Sequence, residues 1–146
     1  MKISLVSFLL ILFLPFAAFA DEAEIGMIKT MKGKASVVTG STHSPAAVGT
    51  VVHQNDGLET GPDGAIGVTF VDNTTLSLGP NSQITLTKYV FDPRGNNFAF
   101  VTDMAKGSLM YVSGLIAKLS PEAVSMHTPV GTVGVRGTRF LLDVGQ

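Results

Sequence analysis

Beyond residue 20, turn residues interrupt this chain so often that helix evidence is thin. From residue 21 onward each apolar segment is short and is bounded by Gly, Pro, Asn or Asp. Punctuation of this kind, at a spacing of about 8–12 residues, favours a sheet of many short strands. Within the segments the apolar residues alternate: Ile66, Val68 and Phe70 share a face, as do Leu76 and Leu78. In the clearest segment Ile84, Leu86 and Val90 point one way and Thr85, Thr87 and Tyr89 the other.

The pattern predicts strands over 25–31, 34–39, 65–71, 74–78, 83–90, 98–104, 108–113, 123–127, 132–136 and 138–144. The first two are expected to form a hairpin around Lys32-Gly33. Turns are expected at Asp72-Asn73 and at Gly79-Pro80-Asn81-Ser82, and a hairpin loop over Asp92 to Asn97. Only Leu115 to Leu119 suggests a helix, and an isolated helix so short is marginal. The expected fold is all-β: one domain, a twisted β-roll or solenoid-like sandwich, with little or no helix. Gly64 to Val68 echoes Gly131 to Val135, which either two coils of a solenoid or chance would explain.

The amino terminus has a different character. Lys2 is followed by an apolar run, then Pro15, then Ala18-Phe19-Ala20 before Asp21. A positive start, an apolar stretch and a small-x-small site predict a secretory signal peptide over 1–20, cut between Ala20 and Asp21. The rival expectation is a retained anchor, since Ile3 to Ala20 comes near the shortest span of a bilayer. Cleavage would leave a domain over 21–146 holding all 16 glycines. A domain of this size buries about two-thirds of its unfolded surface and can be stable without cross-links. The chain has no cysteine, so disulfides and thiol chemistry are excluded. Its net charge of −1 offers no basic field for nucleic acid.

Catalytic patterns are missing from the sequence. His43, His53 and His127 fall in separate segments without metal-ligand spacing. The carboxylates are scattered, and there is no Gly-x-Ser-x-Gly elbow. No cofactor, no metal and no enzymatic activity are expected. Tyr89, Phe91, Phe98 and Phe100 flank one loop and read either as core or as an exposed ligand platform. Arg136 stands between Val135 and Gly137 in an apolar stretch. If buried there it needs an acidic partner, with Asp72 the first candidate and Glu59 the second.

The run Thr128-Pro129-Val130-Gly131-Thr132-Val133-Gly134-Val135-Arg136-Gly137-Thr138-Arg139-Phe140 resembles the signature of the FecR-like domain family. Thr128, Pro129, Arg136, Gly137, Thr138 and Phe140 match its Thr-Pro and Arg-Gly-Thr-x-Phe positions and are expected to be structural. Gly57 to Gly61, Val68 to Asp72, Leu76 to Ser82 and Lys106 to Leu109 resemble earlier parts of the same pattern, so the likeness extends over about 26–144.

The resemblance implies a non-enzymatic β domain of the periplasm or cell surface. The family's best-known members relay the occupancy of an outer-membrane iron-siderophore receptor to a cytoplasmic sigma factor, and others are solitary envelope proteins or modules of surface proteins. Two departures from the signalling type are expected: no cytoplasmic segment before the apolar stretch to hold a sigma factor, and no receptor-docking domain following Gln146. The expectation is therefore a solitary envelope interaction module, of a sensing or regulatory kind, with another envelope protein as partner. It would be exported, to the periplasm first and otherwise to the cell surface or medium, without stable membrane insertion after cleavage. The competing expectation is a structural or adhesive surface protein contacting polysaccharide or peptidoglycan. A hydrolase ranks last.

Overall fold

The computed structural model describes residues 22–145. The expected signal peptide and its cut between Ala20 and Asp21 lie outside the described residues. Twelve strands form one curled sheet, a half-barrel that is 61% strand and 6% helical, so the molecule is essentially all-β. The strands are β1 (Glu24–Lys32), β2 (Ala35–Thr39), β3 (Thr42–Pro45), β4 (Val51–His53), β5 (Gly57–Thr60) and β6 (Ala65–Phe70). They continue with β7 (Thr75–Leu78), β8 (Gln83–Asp92), β9 (Asn97–Val112), β10 (Val124–Thr128), β11 (Gly131–Gly134) and β12 (Arg139–Val144). Helix α1 (Leu115–Leu119) and a 3-10 turn (Pro121–Ala123) join β9 to β10.

The long strand β9 belongs to both halves of the curl. Its first half lies between β8 and β10, in the order β3-β2-β5-β8-β9-β10-β11. Its second half lies between β7 and β12, in the order β4-β1-β6-β7-β9-β12. The β9–β10 pair is parallel, and parallel neighbours need a crossover, usually helical. That need explains why the five residues of α1 become a helix despite a weak local signal. Ile116 and Ala117 bury one side of it.

The sequence pattern breaks β9 into two strands because its buried positions change parity. Phe100, Thr102 and Met104 face inward, Ala105 and Lys106 are both exposed, and then Gly107, Leu109 and Tyr111 face inward. The register against β8 slips at the same place, from Ile84↔Met104 to Gln83↔Lys106. This is a β-bulge, one extra residue that bends a continuous strand. At the bend Gly107 has φ +96° and lies against Ser82, where an added Cβ would come within 2.4 Å of the Ser82 Cα. No other residue type fits there without moving the β7–β8 turn.

A second register slip in β8, between Thr85 and Lys88, turns Tyr89 and Phe91 inward. Continued alternation predicts Tyr89 pointing away from the core, so the bulge corrects that expectation. Tyr89, Phe91, Phe98 and Phe100 all pack on the core, which removes the ligand-platform reading. The hairpin expected around Lys32-Gly33 is also corrected. β1 pairs with β4 and β6, while β2 pairs with β3 and β5. Gly33 is therefore a corner between the two halves of the curl. The short strands β3, β4 and β5 are absent from the sequence-based list because they are only 4, 3 and 4 residues long.

One core fills the curl. Ile28, Leu58, Leu76, Ile84 and Leu109 are fully buried in it, each stabilising by about 1.5–3 kcal/mol. The two echoed segments occupy different environments. At Gly67 an added Cβ would meet Thr30 Oγ1 at 2.3 Å, whereas Gly134 faces open space.

Candidate functional site

The carboxy-terminal ribbon, from β10 to β12, carries the family-like signature. At its first turn the Thr128 hydroxyl donates to the Gly131 carbonyl at 2.9 Å and accepts the Val130 N–H at 3.3 Å. This closes the β10–β11 hairpin and leaves Val130 at its tip, 94% exposed. Gly137, at φ +105°, permits the turn out of β11. The Thr138 carbonyl then accepts the Ser113 N–H at 2.8 Å, and the Phe140 ring stacks on Tyr111 at 5.0 Å. Thr128, Gly137, Thr138 and Phe140 thus build the ribbon.

Arg136 does something else. It is exposed, and among the described residues it forms no ion pair. The expected pairing with Asp72 or Glu59 is corrected on this point, because a solvated guanidinium does not require a buried partner. Arg136, with Glu122, lines an open cleft of about 690 Å³ whose other walls include Ala117, Val124 and Val135. Glu59 instead accepts a hydrogen bond from Gln83 Nε2 at 3.3 Å, with His43 Nδ1 3.6 Å from its other oxygen.

Asp72 is fully buried and joins β6, β8 and α1. Its Oδ1 accepts from the Tyr89 hydroxyl at 2.9 Å, and its Oδ2 from the Thr74 hydroxyl at 2.7 Å and the Ile116 N–H at 3.0 Å. Its carbonyl accepts the Leu115 N–H at 2.8 Å, so one residue satisfies two orphan donors at the start of α1. Burial first, and the Asp72 charge second, push the Tyr89 pKa far above its ordinary value. Burial pushes Tyr111 up to about 12, against a smaller lowering by the Thr74 side chain and with a further rise from the Asp72 charge. The Tyr111 hydroxyl is buried without a geometrically complete hydrogen bond. The sequence holds no cue to this knot beyond a turn at Asp72-Asn73, because its members are brought together only by the curl.

The histidines fall at strands, each beside one carboxylate. His53 Nδ1 is 3.5 Å from Asp56 and His127 Nδ1 is 3.1 Å from Asp103. Asp103 also accepts from the Thr87 hydroxyl. Among the described residues no three His, Cys, Asp or Glu side chains gather as metal ligands.

What the ribbon presents is backbone. β11 pairs only with β10, and its outer edge has no neighbouring strand among the described residues. Gly131, Thr132 and Gly134 on it are exposed. Below the hairpin tip, Thr128 to Val133 and Leu142 to Gly145 line a second open cleft of about 570 Å³. An open strand edge beside an apolar tip can take up an extended segment of another chain through main-chain hydrogen bonds.

The family model described as FecR protein matches residues 56–146, well over half of the chain. No curated protein and no solved structure gave a match.

Proposed function

The chain belongs to the FecR protein family, generally a regulatory sensing and non-enzymatic one, and on that footing we propose that it is an exported envelope module that binds another envelope protein. Binding uses the outer edge of β11, with Val130 and the Arg136 side chain beside it. The observation that carries the reading is the β11 edge, without a neighbouring strand among the described residues, next to a hairpin tip that is 94% exposed. Edge strands left open invite a further strand, and an apolar side chain at the tip supplies a contact that main-chain pairing lacks. FecR domains are typically periplasmic or envelope-associated, and the segment over 1–20 supports export with a cut after Ala20.

Site-specific photo-crosslinking in cells tests this. A photoreactive residue at Val130 should give one discrete adduct with an envelope protein. The same residue at Val48, also exposed at 64%, should give none. Mass analysis of the purified chain should find Asp21 at its start. Retention on isolated peptidoglycan or polysaccharide, with no protein adduct at Val130, would favour the structural and adhesive reading.

A further inference from the structure

We propose that β12 is a self-recognition edge, onto which a second copy of this chain adds its own β12, antiparallel, about a twofold axis through Leu141. The proposal concerns the outer edge of β12 rather than that of β11; the two share the cleft lined by Thr128 to Val133 and Leu142 to Gly145, and cysteine pairing at positions 139, 141 and 143 reads β12 alone.

The direction of the backbone groups comes first. β12 pairs with β9 on one side, with no neighbouring strand on the other among the described residues. Ser113 N–H donates to the Thr138 carbonyl at 2.8 Å, directly beside the Arg139↔Val112 pair. In an antiparallel ladder the bonding direction alternates along the strand. Thr138, Phe140 and Leu142 therefore bond toward β9. Arg139, Leu141 and Asp143 direct their N–H and C=O groups outward.

Only outward-bonding residues can pair across such an edge, so a twofold axis must fall on a residue rather than between two. With the axis at Leu141, Leu141 faces Leu141 of the second copy, and Arg139 and Asp143 face each other on both sides. These three are the outward-bonding residues, and their side chains are exposed, Leu141 at 73%. An apolar pair flanked by two opposite-charge pairs is the favourable cross-strand arrangement. On the inner face Phe140 lies opposite Leu142 of the second copy, and both already pack on the core. An axis at Phe140 would set Arg139 against Leu141, and an axis at Leu142 would set Leu141 against Asp143. Both of these registers lose the charge pairs.

The edges at β3 and β4 differ in a way that supports this choice. β3 is exposed throughout and carries His43, Ser44 and Pro45, and β4 is only three residues long. Such features discourage edge pairing. β12 contains no proline and no lysine, and presents Leu141 at its centre. Two-chain pairing of this kind is an isologous, closing contact.

The chain lacks cysteine, which makes single-cysteine variants of the full chain a clean test. Hydrogen-bonded antiparallel pairs have Cα atoms about 5.5 Å apart, within disulfide reach. Leu141→Cys should oxidise to a covalent dimer. Arg139→Cys alone and Asp143→Cys alone should stay monomeric, yet cross-link to each other when mixed. In sedimentation, Arg139→Asp should weaken self-association by about tenfold, and Arg139→Asp combined with Asp143→Arg should restore it. These residues are exposed, so unchanged circular dichroism is the folding control. Monomeric Leu141→Cys would mean that the edge is covered by other residues of the chain or by another protein, and would overturn the proposal. So would Arg139→Cys dimerising with itself as readily as Leu141→Cys.

Discussion

Asp72 and Ile116 stand 44 residues apart, yet the Asp72 Oδ2 accepts the Ile116 N–H at 3.0 Å. This bond starts α1 from outside the helix. Gly114 at the helix N-cap has no side chain to do so. Asp72→Ala should therefore cost about 3 kcal/mol or more, since it leaves the Ile116 N–H and the Thr74 hydroxyl buried without an acceptor. Asp72→Asn keeps one acceptor oxygen and should cost less. Urea unfolding of both variants measures the difference, and equal stability would remove Asp72 from this role.

The two tyrosines should make folding sensitive to alkali. Both titrate above the ordinary value of 10.0, Tyr111 at about 12 and Tyr89 higher, chiefly because burial disfavours the phenolate. A raised folded pKa contributes stability that is fully present below the unfolded value and is lost as pH climbs through the folded one. Stability should hold to pH 10 and fall between pH 10 and 12. The chain has two tyrosines and no tryptophan, so near-ultraviolet phenolate absorbance reads both directly. At pH 10 the folded protein should show little of it. Tyr111→Phe should flatten the alkaline loss at little cost at neutral pH, because the deleted hydroxyl has no complete hydrogen bond.

Gly107 and Gly134 should respond oppositely to alanine. At Gly107 the backbone has φ +96° and Ser82 occupies the space a Cβ needs. Gly107→Ala should cost about 3 kcal/mol, combining strain and overpacking. Gly134 lies in β11 with nothing within 4 Å of the added atom, so Gly134→Ala should change stability by no more than about 0.5 kcal/mol. Thermal unfolding of the pair tests the bulge as the pivot of the curl.

Arg136 and Phe140 share one signature but should separate by assay. Phe140→Ala removes the stack on Tyr111 and should cost about 2 kcal/mol for a half-buried ring. Arg136→Ala should leave the melting temperature unchanged, because the side chain is exposed and forms no ion pair among the described residues. It should lower the yield of the Val130 crosslink. A large loss of stability in Arg136→Ala would return Arg136 to a structural role.

Alternation and turn residues make most strands legible, and they locate the turns at Asp72-Asn73 and Asp92 to Asn97. The reading fails where a bulge changes parity. Ala105-Lys106 reads as a break between two strands, and Tyr89 reads as outward-facing. A one-residue insertion reverses every later side chain, and a period-two pattern registers only the interruption. The β1–β2 hairpin fails for a related reason. Lys32-Gly33 signals a change of direction, but whether the next strand returns beside β1 or crosses to the other half depends on which neighbours bury Ile28 and Val37.

The all-β class, the turn positions and the signature ribbon follow from local chemistry: alternation, turn residues and backbone conformations open to glycine. Those terms act within a few residues and leave their mark in the order of amino acids. The pairing of β9 with four strands, the capping of α1 by Asp72 and the exposure of Arg136 follow from how the sheet curls. They depend on burial and on bonds between residues tens of positions apart. Whether an arginine needs a buried partner is settled by solvent access, a property of the assembled surface that no neighbouring residue encodes.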